Sequence, residues 1–183
     1  MSKSPARFCT SLVPRAVGRS FLTQVDRFLF QAPVSFYSEG ATWQVSPGFE
    51  RSCLNCHASG VQAVSGTTNA YRSPPFREAG IGCERCHGPG ERYIATPSRT
   101  NIINPARLTP AIRDSICAQC HLSGEVRIAK MDSKPFTPGD LLSASSTAFV
   151  YDKPKARQVN GHVDELSRSR CNLQSGDKLW CGT

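Results

Sequence analysis

The chain has 183 residues, with 22 Lys and Arg against 14 Asp and Glu, and a formal charge of +8 with neutral His; that length suits one domain or two small ones. Hydrophobic residues make up 39%, below the roughly 45–50% of an average globular domain, and 14 Gly and 13 Pro dilute them further, so the aliphatic core must be thin. No apolar run approaches the ~18 residues that cross a bilayer, which excludes a membrane-spanning helix; nine cysteines are too few for a dense disulfide scaffold, and their odd number leaves at least one without an internal partner.

Residues 1–20 are basic, with Lys3, Arg7, Arg15 and Arg19 and no acid. No apolar stretch follows to make a secretory signal, and residues 1–17 read as a basic, poorly ordered segment. From Arg19 to Tyr37 the apolar residues Phe21, Leu22, Val25, Phe28, Leu29 and Phe30, then Val34 to Tyr37, predict strand and hairpin, with aromatics available to pack on a flat ligand. Residues 38–52 read as a loop turning at Ser46-Pro47-Gly48, and 60–82 as a polar, turn-rich segment. A helix is expected from Asn104-Pro105, as N-cap and first residue, through Ile112 and Ile116. Residues 130–151 read as loop and short strands around Pro135 and Pro138-Gly139, and His162 to Arg170 as a short amphipathic helix.

Six cysteines and three of the four histidines fall in three copies of one pattern: Cys53-Leu54-Asn55-Cys56-His57, Cys83-Glu84-Arg85-Cys86-His87 and Cys117-Ala118-Gln119-Cys120-His121. About 0.01 such matches are expected by chance at these Cys and His frequencies, so three are a signature, and the pattern is that of c-type haem attachment. Two thiols three positions apart on a helical turn can form thioethers to one haem, and the adjoining imidazole then lies beneath the iron as proximal ligand. Gly60, Gly90 and Gly124 stand at the third position after each His and are expected to end each short helix in a left-handed turn. A zinc-binding structural module is the rival reading, with Cys53, Cys56, Cys83 and Cys86 as a four-cysteine site; it gives no reason for the His in every copy and leaves a third pair over. A thioredoxin-like pair calls for one motif after a strand, not three.

Three haems would replace the missing aliphatic core, and their propionates, about −6 in total, would bring the charge near +2, which removes the case for nucleic acid as partner. Arg85, Arg92 and Arg113 are candidates to pair with propionates. After the three proximal histidines only His162 remains as a second axial ligand, and Met131 is the only internal methionine, read as aliphatic or surface. Two irons are therefore five-coordinate, or ligated by groups from elsewhere.

Gly18-Arg19-Ser20-Phe21-Leu22, Phe28 to Phe36, Ser46-Pro47-Gly48-Phe49, Gly80 to Glu91 and Gly161-His162-Val163-Asp164-Glu165-Leu166 running on to Cys171 together resemble the multihaem cytochromes c of the cytochrome c-552/c-554 type, particularly bacterial forms fused to tetratricopeptide repeats. The resemblance implies a mainly α fold with extensive loop and a few short strands around a haem-stacked core, over a domain spanning 18–183. It implies electron transfer through close-packed bis-His haems, redox partner proteins and an extracytoplasmic, periplasmic location. Tyr93 stands where family members carry a distal His. Cys181 stands where the family pattern continues Cys-His, as the first thioether cysteine of a fourth site, and the domain reads as truncated at both ends, with a possible repeat domain beyond. His57, His87 and His121 are then proximal ligands and His162 a distal one. Cys9 and Cys171 stay unassigned. A multihaem oxidoreductase acting on a small nitrogen or sulfur compound at a five-coordinate haem is the alternative function.

Overall fold

The computed structural model describes residues 7–11, 18–46, 48, 51–122, 126–131, 133–149, 161–176 and 178–183. They fall into two units, Met1–Gly82 and Cys83–Thr183.

The described residues of the first unit form antiparallel strands, one α-helix and a 3-10 turn, Glu39–Ala41. Its strands are β1 (Arg7–Ser11), β2 (Gly18–Arg19), β3 (Phe21–Val25), β4 (Phe28–Gln31), β5 (Val34–Tyr37) and β6 (Thr42–Val45). Helix α1 (Arg51–His57) follows, then the hairpin of β7 (Ser59–Ala63) and β8 (Tyr71–Glu78). Two sheets have the orders β1-β3-β4 and β2-β5-β6, and β7-β8 form a third. The expected hairpin is β3-β4, turning at Asp26-Arg27 with Val25 opposite Phe28. Leu22 and Leu29 from this hairpin, Leu54 from α1, Ala58, Tyr71 and Phe76 form the core, and Leu22, Leu54 and Tyr71 have no exposed surface. Each fully buried Leu contributes about 1.5–3 kcal/mol over an exposed one. Buried Ser35 ties β5 to the ends of its neighbouring strands β2 and β6: its Oγ lies 2.7 Å from Ser20 Oγ and 2.8 Å from Ser46 Oγ, and Ser46 Oγ donates to Ala32 O at 2.6 Å.

The second unit begins with two short helices, α2 (Glu84–His87) and α3 (Glu91–Ala95). Asn104 then caps a 3-10 turn, Pro105–Arg107, its side chain accepting from Ala106 N at 3.1 Å. The long helix α4 (Pro110–His121) starts only after extended Leu108 and Thr109. The single expected helix is thus split, because Pro110 disfavours helical geometry at the residue before it while itself suiting a first helical turn. Strand β9 (Val126–Ala129), helix α5 (Leu142–Ser145) and strand β10 (Ser146–Phe149) follow, with β9 and β10 antiparallel. Helices α6 (His162–Arg168) and α7 (Arg170–Ser175) come last, meeting at Ser169, whose Oγ caps α7 by accepting from Asn172 N at 3.1 Å.

The described residues are not mainly helical: 34% of them are helix and 27% strand, in several sheets. Each CxxCH motif requires little more than one helical turn, so the motifs alone create little helix. The segments between them carry β-branched and aromatic residues that favour strands, and Tyr71 and Phe76 of β8 are buried. Two segments read as loop contain strands, β6 within 38–52 and the β7-β8 hairpin within 60–82, where Tyr71 and Phe76 enter the core. The buried cluster of the first unit is made of aliphatic and aromatic side chains. Among the described residues no helix is long and apolar enough to cross a membrane.

Candidate functional site

In α1 the positions 53, 56 and 57 share one side of the helix, while Leu54 and, one turn later, Ala58 are buried in the core. Leu54 thereby fixes the rotation of α1, and Cys53, Cys56 and His57 stay half-buried at the rim. Burial lowers the His57 pKa from its ordinary 6.5, favouring the neutral imidazole that can bind a metal. Ser59 ties down the segment that follows: its Oγ donates to Gly80 O at 2.8 Å and accepts from Gly82 N at 2.9 Å.

The second motif lies at α2, with Cys83 as its N-cap residue. His87 Nδ1 is 2.8 Å from the Ile103 carbonyl oxygen, which can only accept, so Nδ1 carries the proton and Nε2 keeps its lone pair for a metal. Gly88 turns the chain immediately afterwards at φ +69°, and a Cβ there would stand 3.0 Å from Ile103 Cδ1.

The third motif ends α4, whose two sides differ. Ala111, Ser115, Ala118 and Leu122 line a cleft of about 480 Å³ against the α5 region. Arg113, Cys117, Cys120 and His121 project from the other side. Gln119 fastens α2 to α4, its Nε2 donating to Arg85 O and Ile116 O, each at 2.8 Å. Arg85 Nη2 donates to Cys120 Sγ at 3.8 Å. Burial pushes the Cys86 thiol pKa up, with Cys120 and Cys83 adding to this and Arg85 opposing it. Burial also pushes Cys117 up to about 12, reinforced by Cys181, Asp114 and Cys86. His162, at the first turn of α6, meets His121: their Nδ1 atoms are 3.1 Å apart and the rings lie edge to face, centroids 5.1 Å apart.

Some expected details differ. Of the glycines three positions after each His, Gly60 is left-handed at φ +61° but lies inside β7; Gly90 has φ −88° and caps α3; Gly124 lies outside the described residues. The positive-φ exit after the second motif is Gly88 instead, since α2 ends at His87 and the next residue must reverse the chain. Of the candidate propionate partners, Arg113 is buried, pairs with Asp114 at 3.0 Å and lies over the Trp180 ring; Arg92 is exposed. Met131 is 92% exposed, in keeping with a surface role. Cys171 is exposed on α7, and Cys9 lies in β1. Among the described residues no cluster of three or more His, Cys, Asp or Glu is placed to hold a bare metal ion. Sequence reasoning missed the roles of Ile103, Gln119 and Trp180, which become visible only as contacts between distant positions.

The family model described as Cytochrome c554 and c-prime matches residues 36–88, which contain the first two motifs. The chain is 28% identical over 116 residues to cytochrome c-554 of Nitrosomonas europaea, covering 57% of this chain and 48% of that one. It is 31% identical over 75 residues to the C-type polyheme cytochrome OmcB of Geobacter sulfurreducens, covering 39% of this chain and 9% of that one. Over these stretches the chain is similar to multihaem c-type cytochromes. The chain spans about half the length of the Nitrosomonas relative and a small part of the Geobacter one. Its fold is also similar to that of a solved structure, the outer cell wall cytochrome OcwA, with a TM-score of 0.53 over 76% of this chain and 32% of that one at 19% identity.

The likeness to c-type cytochromes implies covalently bound haem c. The donor set fits such a group, since each motif sets two cysteine sulfurs and one imidazole within a few residues of helix, and the clamp on His87 Nδ1 leaves the nitrogen that ligation requires.

Proposed function

We propose that this chain transfers electrons through haem c held at three sites, by Cys53, Cys56 and His57, by Cys83, Cys86 and His87, and by Cys117, Cys120 and His121. What supports this reading is the threefold recurrence of two thiols and an imidazole at the end of a helical turn. When bound, haem c supplies a one-electron Fe(III)/Fe(II) couple, whose potential is set by axial ligands, burial and nearby charge. The protein's part is to present neutral imidazole and hold each helix in a fixed rotation, through Leu54 at the first site, Ile103 at the second and Gln119 between the second and third. His162, beside His121, would supply a further imidazole ligand for a haem held at the third site, and Cys181 would be the first thioether cysteine of a further site. Haem attachment of this type belongs to oxidising, extracytoplasmic space, where redox proteins are the partners. Expression with a cytochrome c maturation system, followed by haem staining of a denaturing gel and mass measurement, tests the count. Three covalent haems are expected, and a colourless chain would sink the proposal.

A second reading has one observation in its favour. The fourth histidine, His162, stands beside His121, so His57 and His87 have no second histidine from this chain. An open coordination position at either would suit an oxidoreductase acting on a small nitrogen or sulfur compound. High-spin iron that binds added nitrite or cyanide supports that reading; low-spin spectra unchanged by both ligands leave the carrier alone.

A further inference from the structure

The turn Asp26-Arg27 that closes the β3-β4 hairpin is docked on the start of β8. Arg27 O accepts from Tyr71 N at 2.8 Å, Phe28 forms an isolated antiparallel bridge with Ala70, and Asn69 Nδ2 donates to Leu29 O at 2.7 Å. Val64, just beyond β7, is held to the same segment, its N donating to Ala70 O at 2.9 Å. These bonds fix the walls of a cleft of about 420 Å³, lined by Asp26, Arg27, Val64, Tyr71, Arg72 and Ser73. Small-molecule sites have volumes of ~300–1,000 Å³. Val64 and Tyr71, the latter with no exposed surface, give the cleft an apolar wall.

Arg27 and Arg72 are both exposed, and because Tyr71 N binds Arg27 O their stems leave neighbouring points of the backbone. Among the described residues neither guanidinium has an ion-pair partner, and Asp26 in the same cleft pairs with neither. Two guanidinium forks without a counter-charge, set beside an apolar wall, select an anion, and each fork matches a planar carboxylate by two parallel hydrogen bonds. A compact oxyanion would leave Val64 and Tyr71 unused, so the charges belong on an apolar body. We propose that this cleft binds two carboxylates carried on an apolar body, one on Arg27 and one on Arg72, with the body against Val64 and Tyr71. The Asp26 carboxylate opposes the bound charge and limits affinity. Two sources offer this chemistry: a free aromatic dicarboxylate, and the propionate edge of a haem c. Only the second rests on the haem-binding reading.

The test uses the 183-residue chain produced with a cytochrome c maturation system. Isothermal titration calorimetry with phthalate, benzoate, benzyl alcohol and inorganic phosphate reads the free-ligand arm. One phthalate per chain is expected, with benzoate weaker by about fivefold for the lost charge pair and benzyl alcohol weaker still. Arg27→Gln and Arg72→Gln should each bring phthalate down to the affinity of benzoate, Asp26→Asn should tighten it, and Arg77→Gln, on β8 outside the cleft, should leave it unchanged. All four positions are exposed, so these variants keep the buried core intact, and circular dichroism checks that they do. If propionates fill the cleft instead, the haem-loaded chain takes up no phthalate, and redox titration shows one haem moved to lower potential in Arg27→Gln and Arg72→Gln but not in Arg77→Gln. The proposal is overturned by phthalate binding that both arginine variants leave untouched, by inorganic phosphate binding as tightly as phthalate, or by absence of phthalate binding together with unchanged potentials in both variants. Haem staining of the same samples reports on the haem reading separately: a colourless chain that binds phthalate through Arg27 and Arg72 keeps this proposal and loses that one.

Discussion

His87 and Ile103 hold one another by two hydrogen bonds, His87 Nδ1 donating to Ile103 O at 2.8 Å and Ile103 N donating to His87 O at 3.1 Å. The pair orients the imidazole, sets its tautomer and closes the chain over the second motif. Gly88 is what lets Ile103 approach, because its Cβ-free backbone sits at φ +69° against the Ile103 side chain.

Gly88→Ala is therefore expected to destabilise the chain by about 1–3 kcal/mol, since this backbone conformation is nearly exclusive to glycine. Urea denaturation measures the loss. Peptide mapping of haem should show the second site depleted before the other two. Stability unchanged by Gly88→Ala would mean that the clamp is not maintained in solution.

Leu54→Ala removes a side chain with no exposed surface from the centre of the first unit. A loss of about 2–5 kcal/mol is expected from transfer and cavity terms. Because Leu54 also sets the rotation of α1, haem recovered on the peptide containing Cys53 and Cys56 should fall with stability.

The Cys117 thiol has an ordinary pKa of 9.0 that is pushed up to about 12, by burial first and then by Cys181, Asp114 and Cys86. The folded value lies above the unfolded one, so its stabilising contribution is fully present below pH 9 and is lost as pH rises through 9 towards 12. Thermal melts of the reduced, haem-free chain should show a falling midpoint over that range. Cys117→Ser should flatten the slope, and so should attachment of haem, since a thioether does not titrate.

His162→Ala tests the pairing seen at 3.1 Å between His162 and His121. The number of covalent haems should stay the same, while one iron becomes newly high-spin and binds cyanide. Electron paramagnetic resonance on the oxidised protein reads the change. A spectrum identical to that of the parent chain would remove His162 from the ligand set.

Local chemistry was legible in the residues alone. Three repeats of Cys, Cys and His at fixed spacing carry the proposal of which atoms would hold a haem, because that spacing needs only one helical turn and no distant partner. The β3-β4 hairpin and the helix starting at His162 were equally legible, each from its own run of residues. Secondary structure outside the motifs was less so. The segment 60–82 looked like loop because its turn residues and prolines are local signals, whereas the burial of Tyr71 and Phe76 that makes it a hairpin comes from packing against Leu22, Leu29 and Leu54. The tertiary structure alone decided that Ile103 would orient His87, that Gln119 would fasten α2 to α4, and that Arg113 would lie over the Trp180 ring. These are contacts between residues far apart in the chain, and a sequence carries no local periodicity for a hydrogen bond whose partner is chosen by the fold.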